Sequence, residues 1–97
     1  MERQPAVYFV TNKPNGVLYI GVTRHLSGRI WQHKTRPVKG FTSRYNLDKL
    51  VYFELFDTMY DAIMREKQLK KGPRRRKVQL IESINPEWRD LFGDICR

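Results

Sequence analysis

The apolar residues of this chain follow two different spacings, which mark strands and helices. Residues 6–12 and 17–22 are rich in β-branched and aromatic types, and Lys13-Pro14-Asn15-Gly16 separates them. An Asn-Gly pair between two such runs is typical of a β-hairpin. A third run of the same kind covers residues 49–56. The pattern therefore predicts three strands, of which the first two pair.

The remaining segments carry apolar residues at helical spacing. Thr23 and Thr58 are placed to cap two of the helices, and Gly72-Pro73 separates the second helix from the third. The order β-β-α-β-α-α predicts an α+β fold, a small three-stranded and mostly antiparallel sheet flanked by helices. The predicted helices cover residues 23–36, 58–72 and 73–85, with a short terminal helix over residues 87–92.

Composition narrows the class of protein. The 97 residues suit a single domain, residues 1–97 with a core over about 6–92, and a net charge of +9 favours nucleic acid as partner ahead of an anionic membrane surface. No apolar run is long enough to cross a bilayer, and the N-terminus lacks the apolar region of a signal peptide. Cys96 is the only cysteine, which excludes an internal disulfide. We expect a soluble, cytoplasmic protein with no membrane partner.

The length of the hairpin loop decides where two tyrosines point, because strand side chains alternate between faces. An even loop, either Asn15-Gly16 or Lys13 to Gly16, places Tyr8, Tyr19 and Gly21 on one face, opposite an apolar face. A three-residue Pro-Asn-Gly loop with a bulge would send the two tyrosines to opposite faces. The even register gives the cleaner apolar face.

Three charged or titratable residues stand at positions that suit phosphate chemistry. Arg29 and His33 are four residues apart on the first helix and project on one side, although a solvated basic helix face explains them as well. Glu66 falls within the apolar stripe of the second helix. A carboxylate there needs a cation, which is either a divalent metal or a basic side chain of a neighbouring element.

Basic residues concentrate around the turn between the second and third helices. Neutralising phosphates there would give salt-sensitive binding that tolerates many sequences, whereas a solvated run of charge is the alternative. The loop over residues 37–46 adds Arg44 and aromatic residues able to stack on an unpaired base. The residues of the basic segment are Lys67, Lys70, Lys71, Arg74, Arg75, Arg76 and Lys77.

Taken in order, these residues resemble the GIY-YIG nuclease superfamily, in the form of its short stand-alone members. The resemblance runs from Val7 to about Leu91, and the first motif departs from the pattern, since Ala6-Val7-Tyr8 stands where the family has Gly-Ile-Tyr. The matching residues are Tyr8, Tyr19, Gly21, Arg29, His33, Glu66 and, as a structural position, Asn85.

The resemblance implies a DNA endonuclease or nickase that uses one divalent metal, Mg²⁺ or Mn²⁺. Glu66 would hold the metal, Arg29 would neutralise charge on the phosphate, and Tyr8 would orient or deprotonate water with help from Tyr19 or His33. The implied substrate is DNA recognised by structure, such as branched, flapped or damaged DNA, as in repair or recombination. A non-catalytic nucleic-acid-binding module on the same scaffold is the main alternative, and a purely structural interaction domain is a third.

Overall fold

A computed structural model of the chain describes residues 4–35 and 46–96. The predicted α+β fold is confirmed: an antiparallel three-stranded sheet in the order β2-β1-β3 is flanked by helices, and the elements follow one another as β-β-α-β-α-α before a last short helix. The strands are β1 (Ala6–Thr11), β2 (Leu18–Thr23) and β3 (Lys49–Leu55), and the described helices are α1 (Leu26–Thr35), α2 (Met59–Lys71), α3 (Arg74–Ile84) and α4 (Phe92–Ile95).

The hairpin adopts the even register. Tyr8 lies opposite Gly21 and Val10 lies opposite Tyr19, which puts both tyrosines on one face of the sheet. The register, with Thr11 opposite Leu18 as the last strand pair, corresponds to the longer of the two even loops, Lys13 to Gly16. Beyond that pair, the Asn12 side chain accepts a hydrogen bond from Val17 N at 3.0 Å. The prediction that Tyr8 and Tyr19 share a face is therefore correct.

Both faces of the sheet are buried. On one face, the core contains side chains from β1, β2 and β3 together with Ala62 and Leu69 of α2 and Ile81 of α3. On the other face, the Tyr8 side packs against Ile30 of α1 and against Leu91 before α4. The sheet is thus the middle of three layers, and the face that carries Tyr8 and Tyr19 contains a second hydrophobic core.

Two helix boundaries differ from the prediction. Thr23 belongs to β2 instead of capping α1, and its hydroxyl accepts a hydrogen bond from His25 N at 3.0 Å before the helix begins at Leu26. The terminal helix was predicted over residues 87–92 but covers Phe92–Ile95. The helix begins later than predicted because Trp88 has a φ of 57°, which a right-handed helix does not accommodate. The predicted cap at Thr58 is confirmed, because its hydroxyl accepts from Asp61 N at 3.1 Å.

The chain after α3 is held against the sheet by two polar side chains. Asn85, predicted as a structural position, is buried and donates to the carbonyls of Val51 and Arg89 at 3.1 and 2.8 Å. Asp90 accepts from Leu50 N at 3.1 Å and pairs with Lys34 of α1 at 2.6 Å. These contacts bring the C-terminal segment over the tyrosine face. Across the described part of the chain, no helix has the length and apolar character needed to span a membrane.

Candidate functional site

Gly21 creates the space in which Tyr8 sits. A Cβ atom at position 21 would lie 2.5 Å from Cζ and 2.8 Å from Cε2 of Tyr8, well inside van der Waals contact. The Tyr8 ring therefore lies directly over the glycine backbone of the neighbouring strand, where any side chain would displace it. Tyr8 is only 1% exposed, so its ring is enclosed by the surrounding side chains. The glycine predicted beside the tyrosines thus fixes the place of one of them.

Tyr8, Tyr19 and His33 form one group of rings, here named the tyrosine–histidine cluster. The Tyr8 hydroxyl lies 3.1 Å from Nε2 of His33, within hydrogen-bond distance. The ring centroid of Tyr19 lies 6.4 Å from that of Tyr8 and 6.1 Å from that of His33. Two strands and α1 therefore bring together three residues that are spread over the first third of the sequence.

Arg29 lies one helical turn before His33 on α1 and influences the pKa of the Tyr8 hydroxyl. Burial raises the pKa of the Tyr8 hydroxyl to about 12, while a hydrogen bond from Arg29 and its positive charge oppose the rise. The carboxylate of Glu66 adds to the rise through its negative charge, and Tyr19 would do so if it were ionised. Burial, and then the charge of Arg29, lower the pKa of His33 below its ordinary value. Near neutral pH both Tyr8 and His33 are consequently uncharged, next to one guanidinium.

Glu66 lies at the margin of this group, on α2. Its side chain is 15% exposed and pairs with Lys70, one turn later on the same helix, at 3.3 Å. Since the Lys70 side chain is itself 51% exposed, this pair is weak and easily exchanged. The prediction that Glu66 points inward is correct, and its partner in the structure belongs to its own helix.

The donor set around Glu66 fits a divalent metal that needs few protein ligands. In residues 4–35 and 46–96, no three His, Cys, Asp or Glu side chains come together as a metal-binding group. A single carboxylate suits an ion such as Mg²⁺, which keeps several waters and is held by one or two carboxylates together with phosphate oxygens. The residues present thus fit a metal that is shared with a phosphate ligand.

A polar network that includes Arg65, the residue before Glu66, holds α2 on the sheet, and the sequence pattern did not predict it. The Arg65 guanidinium binds both carboxylate oxygens of Glu54 on β3, at 2.8 and 3.0 Å. The Tyr52 hydroxyl donates to the same carboxylate. Although burial alone would raise the pKa of Glu54, hydrogen bonds from Arg65 and Tyr52 lower it, so the carboxylate stays charged. The alternation of β3 placed Glu54 toward α2, but nothing in the sequence paired it with Arg65.

The predicted basic segment divides into two groups. Lys70, Arg74 and Lys77 line a depression that also borders Tyr19. Arg74 has a structural role in addition, since it donates to the carbonyls of Asn15 and Gly16 at 3.1 and 2.6 Å and so ties α3 to the hairpin loop. The other basic residues are exposed on α2 and α3 and do not line this depression: Lys67, Lys71, Arg75 and Arg76. Arg44 and the rest of residues 36–45 lie outside the described residues.

Comparison with known proteins shows the family to which the chain belongs. The sequence profile of the GIY-YIG catalytic domain matches residues 4–79. A UPF0213 protein of Staphylococcus saprophyticus is 35% identical over 75 residues, which is 77% of this chain and 90% of that protein. A UPF0213 protein of Clostridium perfringens is 41% identical over 66 residues, or 68% of this chain and 71% of its own length. No solved structure matches the chain significantly. The chain belongs to the GIY-YIG superfamily, a family of nucleases.

Proposed function

We propose that this protein is a metal-dependent DNA endonuclease or nickase that hydrolyses phosphodiester bonds. The observation that carries the proposal is the contact of the Tyr8 hydroxyl with Nε2 of His33 at 3.1 Å, in a setting where Arg29, Tyr19 and Glu66 all influence the pKa of that hydroxyl. A proton acceptor, a guanidinium and a carboxylate in one region are groups that hydrolysis of a charged ester can use.

Tyr8 and His33 would together take the proton of the attacking water. A phenol with a pKa of about 12 is not a phenolate at neutral pH, so Tyr8 alone is a poor base. Uncharged His33 can accept the Tyr8 proton at Nε2, in the tautomer that carries its own proton on Nδ1. Tyr8 would then receive the water proton as it passes its own to His33. The oxygen of the water attacks phosphorus, and the 3′ oxygen leaves.

Arg29 and Glu66 would together offset the negative charge of the substrate phosphate, Arg29 directly and Glu66 through a bound metal ion. The guanidinium of Arg29 can donate to a phosphate oxygen as negative charge accumulates there. Glu66 would hold the divalent metal of the family in place of its contact with Lys70, with water and phosphate oxygens as the other ligands. When bound, such an ion stabilises charge on the scissile phosphate and on the leaving oxygen as a Lewis acid.

The substrate would be recognised by shape more than by sequence. A net charge of +9 and basic side chains on α2 and α3 support binding to the phosphate backbone, which carries no sequence information. We therefore propose DNA of unusual structure, such as branched or flapped DNA, as the substrate. Mg²⁺ and Mn²⁺ are both suited to a lone carboxylate ligand.

The test is cleavage of supercoiled plasmid, flapped and branched DNA by the wild-type protein and by Glu66→Gln, with Mg²⁺ or Mn²⁺ and with EDTA. Glu66→Gln keeps the size of the side chain but removes the charge that holds the metal. We expect metal-dependent products from the wild type and a loss of about 100-fold or more in the variant, a magnitude typical of an essential electrostatic group.

Glu87→Gln is the matched control, because Glu87 is exposed and lies far along the chain from the cluster. It carries the same change of charge and should cleave like the wild type. Cleavage that survives Glu66→Gln would refute the mechanism. Tight, salt-dependent binding with no product from any substrate would favour the non-catalytic binding module.

A further inference from the structure

A groove lies beside the tyrosine–histidine cluster, between β2 and the junction of α2 with α3. It has a volume of about 370 Å³, which is within the usual range for small-ligand sites. Its lining comes from two sources, three consecutive residues of β2 and three basic residues of the helices: Leu18, Tyr19, Ile20, Lys70, Arg74 and Lys77. Tyr19 lines the groove and also belongs to the tyrosine–histidine cluster, so the groove opens next to the proposed reaction centre.

The lining combines apolar surface with positive charge and contains no acidic residue. Leu18 and Ile20 come from β2, and the three cations come from the facing helices. A phosphate can lie against the cations, while the flat face of a base can lie against apolar side chains. This combination matches a single nucleotide, which has one charged end and one flat, weakly polar end.

The three basic side chains differ in how many hydrogen bonds and ion pairs they already make within the protein. Arg74 is committed to two carbonyls of the hairpin loop, and Lys70 pairs with Glu66. Lys77 is half-buried, and its side chain has no hydrogen-bond or ion-pair partner within residues 4–35 and 46–96. An ammonium group kept in place by burial of its stem, with its donors unused, is prepared for an anionic ligand.

We infer that the groove binds one nucleotide of the cleaved strand beside the scissile phosphodiester, with its phosphate on Lys77 and its unpaired base against Leu18 and Ile20. The inference rests on the proposed function, because the reaction centre defines which strand is cleaved. A base within a duplex is turned toward its partner and cannot reach this floor. The groove therefore selects DNA whose strand is unpaired at the cleavage point, such as a flap or an overhang.

Methyl NMR spectra of the full-length wild-type protein in EDTA test the inference without cleavage. The probe is a short oligothymidylate, compared with a blunt duplex of the same strand length. We expect the methyl signals of Leu18 and Ile20 to shift with the oligothymidylate and to move much less with the duplex. Methyl signals that stay in place, or that respond equally to both probes, would overturn the inference.

Two variants identify the phosphate contact by the salt dependence of oligothymidylate binding. Removal of one phosphate contact to a single strand lowers the slope of log K against log salt by about 0.7. Lys77→Ala should show this smaller slope together with weaker binding. Arg24→Ala removes the same charge from an exposed position before α1 that lies outside the groove, and should keep a slope closer to that of the wild type. Equal slopes for the two variants would overturn the assignment of Lys77.

A third variant tests the apolar floor. Leu18→Thr keeps a residue that suits a strand but makes the floor polar. It should weaken binding of the oligothymidylate more than binding of the duplex, and an equal effect on both probes would count against base contact. The outcomes separate the two proposals: methyl shifts without any DNA cleavage would support the groove and refute the nuclease, whereas cleavage with unchanged methyl signals would refute the groove alone.

Discussion

Gly21→Ala tests how closely the site depends on the contact between two strands. The new methyl group would lie 2.5 Å from Cζ of Tyr8, whereas carbon atoms in contact stay about 3.5–4.0 Å apart. The ring must therefore move by about 1 Å or more. Its hydroxyl lies 3.1 Å from His33, so such a shift removes the hydrogen bond. Overpacking of this kind costs about 1–3 kcal/mol of stability, and a misplacement of 1 Å at a reacting group can cost about 100-fold in rate.

The loss of stability is measured by urea unfolding, and the loss of activity by cleavage of the best substrate. Gly93→Ala is the matched control, because a Cβ at position 93 meets nothing within 4 Å, and it should leave both quantities unchanged. In a Tyr8→Ala background the cost of Gly21→Ala should fall close to zero, since the ring is gone. A Gly21→Ala protein with wild-type stability and activity would refute the packing argument. So would an undiminished cost in the Tyr8→Ala background.

The remaining predictions concern Asp90, His33 and Arg29. Asp90→Ala should cost about 3 kcal/mol in urea unfolding because it leaves two backbone N–H groups without their charged acceptor, whereas Asp90→Asn, which keeps an oxygen, should cost clearly less. Burial would raise the pKa of Asp90, but hydrogen bonds from Lys34 and the two N–H groups lower it. The stability that Asp90 contributes is therefore present above the ordinary pKa near 4 and is lost as pH falls below it. The stability of Asp90→Ala should consequently fall less steeply with pH in this range than that of the wild type. The cleavage rate should rise as His33 loses its proton, with the midpoint below the ordinary pKa of about 6.5, and a midpoint above pH 7 would contradict the proposed relay. Arg29→Lys should lower the cleavage rate about 100-fold with little change in DNA affinity, since a lysine cannot replace the donor fork; an equal loss of affinity would show a binding role instead.

The sheet could be predicted well because its information is local. The Asn15-Gly16 turn, the alternation of each strand and the isolated glycine at position 21 lie within a short stretch of sequence. The inward position of Glu66 could also be predicted, because helical spacing assigns it to an apolar stripe. In each case the period of the side chains decides the outcome without knowledge of distant contacts.

What could not be predicted depends on contacts between distant parts of the chain. The tyrosine face is covered by the C-terminal segment through Asp90, and no local pattern pairs Asp90 with Leu50 and Lys34. The terminal helix begins late because of the positive φ at Trp88, an unfavourable conformation for that residue type. The pairing of Arg65 with Glu54 and the use of Arg74 to hold the hairpin loop likewise arise only when the layers assemble.

The central claim is that the tyrosine–histidine cluster hydrolyses DNA, and single-turnover cleavage by Tyr8→Phe tests it most directly. The change removes one oxygen atom and keeps the buried ring over Gly21, so the fold and DNA binding should be preserved. At saturating protein and with Mg²⁺ or Mn²⁺ present, we predict a rate at least about 100-fold below the wild type, in the range expected when a general base is removed, at unchanged affinity. A Tyr8→Phe protein that cleaves at the wild-type rate would contradict this claim.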